Sequence, residues 1–142
     1  LTEKNKLHEI AAKTIAHFQR EIKEKPQLLQ YFSPIIKLWE GGHDSILWNA
    51  PVLVVASAPK EAATGMQDAC ISLAYLDLLA PAMGLGTCWA GLVQQAIISL
   101  PALKDFLGVP ADHPYHYPMM LGYPKGKYYR LIARKPPKIS FC

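Results

Sequence analysis

Apolar residues recur at helical spacing through the opening of the chain. Leu7, Ile10, Ala11, Ile15, Phe18 and Ile22, with Thr14 among them, share one stripe, and Lys, Glu and Gln side chains lie opposite. This predicts an amphipathic helix from about Asn5 to Lys25, ended by Pro26. A shorter helical segment is expected over Gln27 to Phe32, a further turn from Ser33-Pro34 towards Trp39, and a break at Gly41-Gly42. The β-branched run from Pro51 to Ala56 is unbroken by polar residues, which predicts a central strand buried on both faces. Next comes a long segment, Met66 to about Met83, that is apolar almost all round. A helix of that kind has to be covered on most sides, by its own domain or by a second subunit. Further expectations are a strand over Thr87 to Gly91, a helix over Pro101 to Leu107 stopped by Gly108, and a strand over Pro118 to Tyr123. Strands separated by helices, with no internal repeat, indicate a single α+β or three-layer α/β domain across residues 1–142.

Composition narrows this picture by exclusion. Hydrophobic residues make up 51% and charged residues 18%, so a disordered chain is ruled out. The net charge of +4 suits an anionic ligand, but the basic residues form no dense run of the sort that binds nucleic acid or a membrane surface. The most apolar stretch, Ala69 to Met83, carries Asp77 and Pro81 and is too short to span a bilayer. Cys70, Cys88 and Cys142 are sparse, odd in number and without C-x-x-C spacing. They support neither a disulfide framework nor a zinc site, and they fit a reducing cytoplasm.

The most informative stretch chemically is PAMGLGTCWAGL, Pro81 to Leu92. Glycines at 84, 86 and 91 permit close backbone approach. By spacing alone they read as a helix C-cap at Gly84 followed by a turn into a strand. The order of helix, glycines, strand also differs from the dinucleotide fingerprint, where the glycines follow a strand and open a helix.

Four segments in order carry a resemblance: NAPVLVV (Asn49 to Val55), the apolar helix running into GLGTCWAG (Gly84 to Gly91), MLGYPKG (Met120 to Gly126) and ARKPP (Ala133 to Pro137). Together, over Gly41 to Phe141, they resemble the FMN-dependent nitroreductase family. The resemblance implies an α+β fold of three layers, α/β/α, with a central mixed sheet flanked by helices, and an intertwined homodimer holding FMN at the subunit interface. It implies that Trp89, Ala90, Gly91 and Leu92 lie against the isoalloxazine ring, with a backbone N–H near flavin N5. Such a donor tunes the flavin without adding a competing titratable group, and Gly91 allows the close approach. Arg134 matches the family's phosphate-contacting arginine, whose guanidinium suits paired, charge-assisted hydrogen bonds. Two residues earlier, where a basic residue is usual, stands Ile132.

The implied activity is transfer of hydride or electrons from NAD(P)H through FMN to a nitroaromatic, a quinone or a related acceptor, with ping-pong kinetics and no side chain required as acid or base. No catalytic residue is therefore named. Family members begin with an arginine-rich R-R-S-x-R segment that is not among these residues, so the expectation is the C-terminal portion of such a domain, with a helical part over 1–40 and a core over 41–142. The other expectation is a non-catalytic, flavin-free dimerising domain or a fragment of a larger redox protein.

Other residues are weighed on their own terms. His113 and His116 fall in a proline-rich stretch, H-P-Y-H, which is expected to be a surface loop and not a metal site, while His113, Tyr115 and Tyr117 are candidates for lining a substrate pocket. Cys70 is expected to be a small core residue and Cys88 to be buried in a strand, with a reactive thiol near the flavin as the alternative, while Asp77 is expected to be hydrogen-bonded or to face a dimer partner. There is no G-x-S-x-G elbow and no P-loop spacing.

Overall fold

The computed structural model describes residues 1–126, 135–136 and 138–140. Helix α1 spans Lys4–Glu24 and buries the predicted stripe, from Leu7 to Phe18, His17 included. After a 3-10 turn at Pro26–Leu28, helix α2 runs from Leu29 to Glu40 with Pro34 inside it. The two helices are pinned by Phe18 and Phe32, whose rings stack 4.0 Å apart. The short helix and separate turn expected here are thus one continuous helix, because Phe32 and Ile36 must both reach α1.

Three strands follow: β1 over Val52–Ala58, β2 over Gly86–Trp89 and β3 over Tyr115–Gly122. Their order is β1-β3-β2, with antiparallel pairing on both sides of β3. Two corrections follow for the described residues. The expected mixed sheet is antiparallel, since β1 and β2 run the same way but β3 lies between them. The central strand is β3, and β1 pairs on its other side with Leu1, whose N–H and carbonyl both bond to Leu53.

Helix α3, Gly65–Leu79, passes into a 3-10 turn over Ala80–Met83, with Pro81 in its first turn and Gly84 at φ 71° as the left-handed C-cap. Thr87 of β2 donates a hydrogen bond to Asp77 of α3, which gives this carboxylate the hydrogen-bonded setting that was one of its two expected environments. Helix α4 spans Gly91–Ser99 and α5 spans Pro101–Phe106, ended by Gly108 at φ 73°. The predicted strand over Thr87 to Gly91 therefore stops at Trp89, and Gly91 opens a helix that was not expected.

Strand alternation sorts the layers. Leu53 and Met120 face each other in register and join the core formed with α1, α2 and α4. Met119, fully buried, points the other way, towards the face that α3 covers. The result is three layers, with α3 on one side of the sheet and α1, α2 and α4 on the other. The outer side of α3 stays exposed, with Ile71, Tyr75, Leu78 and Leu79 in a row that Met83 continues in the 3-10 turn after it. No helix among the described residues is long and apolar enough to cross a membrane.

Candidate functional site

The junction of β2 and α4 brings four of the expected site residues together. Trp89 ends β2 and is partly exposed, Ala90 is buried, Gly91 is exposed and Leu92 is half-buried in the first turn of α4. A single proline creates this junction. In an antiparallel ladder Ala90 and Pro118 would exchange two hydrogen bonds. The Ala90 N–H does donate to the Pro118 carbonyl, at 3.0 Å, but Pro118 has no N–H to return. The Ala90 carbonyl instead accepts the Gln94 N–H at 2.9 Å, which is the first helical bond of α4. The strand turns into a helix at the residue where the ladder runs out of donors.

The N–H groups of Gly91, Leu92 and Val93 consequently have no acceptor among the described residues, and no side chain caps the helix or places an acid in its first turn. Three unpaired donors at the positive end of a helix dipole suit an electron-rich, hydrogen-bond-accepting group. Of the four expected residues, Ala90 is the one whose N–H is already taken, so Gly91 and Leu92 supply the accessible donors.

The site is walled by aromatic residues. Trp89 meets Tyr117 of β3 edge to face, with ring centroids 5.2 Å apart and planes at 74°. The Tyr117 hydroxyl oxygen lies 3.6 Å from where a Cβ on Gly91 would sit, and among the described residues no other heavy atom, apart from its chain neighbours and the backbone of its own helix, comes within 4 Å of that point. Tyr117 is thus a site residue, whereas Tyr115 packs against Gly65 at the start of α3 and His113 Nδ1 pairs with Ser57 Oγ at 2.8 Å.

Beneath α4, His116 and Gln94 form a buried polar pair, Nδ1 to Oε1 at 3.2 Å. His116 is therefore part of β3 and not of a surface loop, because β3 begins at Tyr115. Burial, and then the nearby Lys104, holds the His116 imidazole below its ordinary value. His17 is shifted the same way, again mainly by burial; its Nε2 lies 3.6 Å from Glu21 and has no hydrogen-bond partner. Cys88 is exposed rather than buried, on the sheet face opposite Trp89, and Cys70 is only partly buried. No group of three or more His, Cys, Asp or Glu among the described residues could hold a metal ion. Arg134 lies outside the described residues.

A helix-and-sheet domain with an aromatic-walled helix N-terminus at the end of a strand is the class that these elements define. The chain belongs to the nitroreductase family, whose model matches residues 1–123. The match includes α1 and α2, and so starts earlier than the Gly41 boundary of the sequence resemblance. Among solved structures, the chain is similar to the FMN-bound nitroreductase of Bacteroides fragilis NCTC 9343. The TM-score is 0.71 and the sequence identity 21%, covering 100% of this chain and 73% of that one. At that identity the likeness is one of fold. No curated protein matches the chain.

Proposed function

We propose that this protein is an FMN-dependent oxidoreductase that draws electrons from NAD(P)H and passes them to a nitroaromatic, a quinone or a related acceptor. Membership of the nitroreductase family supports the oxidoreductase class. FMN is the cofactor named for the Bacteroides structure. The observation that carries the reading is the set of N–H groups at Gly91, Leu92 and Val93, unpaired among the described residues, in a helix that begins directly after Trp89, beside Tyr117, and has no carboxylate cap.

These residues fit a flavin ring on chemical grounds. Isoalloxazine is flat, apolar at one end and rich in nitrogen and carbonyl acceptors at the other. Gly91 lets such a ring approach the backbone, Trp89 and Leu92 give it apolar contact, and the N–H groups give its acceptors donors. Arg134 is proposed to hold the phosphate as a charge-assisted pair. When bound, FMN supplies the two-electron chemistry, and the chain supplies position and field. The helix dipole favours electron density beside Gly91 and Leu92, and the buried His116–Gln94 pair fixes α4 against β3.

A homodimer is part of the proposal. The exposed row of Ile71, Tyr75, Leu78 and Leu79 on α3, continued by Met83 in the 3-10 turn after it, is the apolar face that a second copy would cover. A reducing cytoplasm is the proposed compartment, in keeping with free thiols at Cys70 and Cys88.

The test is the visible spectrum of the purified full-length protein, recorded anaerobically before and after NAD(P)H. A flavin absorption that bleaches with NAD(P)H and returns with a quinone is the expected result. A protein that stays colourless when FMN is added would refute the reading and favour the flavin-free dimerising domain.

A further inference from the structure

We infer that the Tyr117 hydroxyl binds the carbonyl oxygen of a quinone acceptor at this site and delivers a proton to it. The inference rests on the flavoprotein reading above and assigns a role that reading leaves empty.

Three observations place the group. Its oxygen lies beside Gly91, 3.6 Å from the missing Cβ, so it borders the start of α4, whose first N–H groups are unpaired among the described residues. Its backbone is fixed in the central strand opposite Ala56, and its ring is braced by Trp89. The hydroxyl itself makes no hydrogen bond among the described residues, although the residue is only partly exposed. A phenol has one proton to donate, and here it is not committed to the protein.

The neighbouring titratable groups are engaged elsewhere. Asp77 accepts the Thr87 hydroxyl, His113 pairs with Ser57, and His116 points to the opposite sheet face towards Gln94. Two-electron reduction of a quinone needs a proton as well as a hydride. FMN, when bound, would supply the hydride drawn from NAD(P)H, the proton would pass from the Tyr117 oxygen to one carbonyl oxygen, and the product would be the hydroquinone. The phenolate left behind recovers its proton from water, so charge and atoms balance.

Tyr117→Phe removes the hydroxyl and keeps the ring against Trp89. The quinone chosen is tetramethyl-1,4-benzoquinone, whose ring carbons are all substituted, so the exposed Cys88 thiol has no open position to add to. Without NAD(P)H, its binding to the oxidised holoprotein is read from the flavin absorption. The variant is expected to bind it about 2- to 12-fold more weakly, the value of one net hydrogen bond. With NAD(P)H, quinone reduction should slow by about 100-fold or more, the scale of general acid catalysis. Reduction of ferricyanide, which takes one electron and no proton, should slow far less than quinone reduction when both are compared at full flavin occupancy. Unaltered quinone binding, or an equal loss with both acceptors, would overturn the inference. A wild-type protein that takes up no FMN would bring down the flavoprotein reading and this inference with it; a flavin-loaded wild type with an indifferent Tyr117→Phe variant would sink the inference alone.

Discussion

Replacing His116 with Leu tests how α4 is held over the sheet. His116 and Gln94 are 6% and 7% exposed, so neither side chain has water to fall back on. Removing the imidazole leaves the Gln94 amide buried and short of a partner, which costs about 1–3 kcal/mol. Against a total stability of roughly 5–15 kcal/mol, that is a large fraction. With a urea slope of about 1–3 kcal/mol per molar, the unfolding midpoint should drop by roughly 1 M. The double variant His116→Leu/Gln94→Leu removes both polar groups and should recover most of the loss, giving a coupling of about 0.5–3 kcal/mol.

The pH dependence has a definite sign. Because burial depresses the folded-state value of His116 below its ordinary 6.5, the unfolded chain binds a proton more readily. Wild-type stability is therefore full above about pH 6.5 and falls as the pH drops through the depressed folded value. His17 contributes in the same direction. His116→Leu should keep the His17 part of the acid slope and lose its own. Equilibrium urea unfolding at fixed protein concentration, followed by circular dichroism on both sides of that range, measures both effects. An unchanged midpoint at neutral pH together with an unchanged acid slope would refute the reasoning.

The remaining predictions concern packing, assembly and the cofactor. Gly65→Ala would place a Cβ 2.3 Å from Tyr115 Cδ2 and 3.0 Å from its Cγ, so overpacking should cost about 1–3 kcal/mol in urea unfolding, and Tyr115→Ala should relieve it. Leu78→Arg, at a position 79% exposed in one copy, should turn a dimer into a monomer by light scattering while leaving the circular dichroism intact. Arg134→Ala should weaken FMN by about tenfold or more, as expected for losing a charge-assisted contact to phosphate, read by fluorescence titration.

Much of the fold was legible because its periodicities are clean. The α1 stripe has one dominant period, the β1 run is short, β-branched and unbroken, and the C-cap at Gly84 follows from glycine's access to positive φ. Helix α4 escaped notice because GLVQQAIIS is nine residues long, rich in β-branched residues and fused directly to β2. Its signal was the spacing of Val93, Ala96 and Ile97, which are buried, against exposed Gln95 and Ile98. The start of β3 was hidden by Pro114 and Pro118, since proline argues against a central strand. Pro118 is tolerated because it stands just beyond the β2 pairing, where its missing N–H frees the Ala90 carbonyl to begin α4. The site followed the same division. Trp89 to Leu92 could be named from the family resemblance, while the role of Ala90 as a ladder residue needed the strand register. Tyr117 entered the sequence reading as a pocket candidate, and its place beside Gly91 depends on that register too.

The most direct test of the α4 N-terminus as the flavin seat is the FMN dissociation constant of the full protein beside that of Gly91→Val. A Cβ at this position lies 3.6 Å from the Tyr117 hydroxyl, an ordinary van der Waals contact, and circular dichroism checks that the fold survives the larger side chain. If the ring rests there, affinity should fall by about tenfold or more, the scale of roughly 1.4 kcal/mol or greater. Equal FMN affinity in a folded Gly91→Val variant would show that the flavin, if bound at all, sits elsewhere.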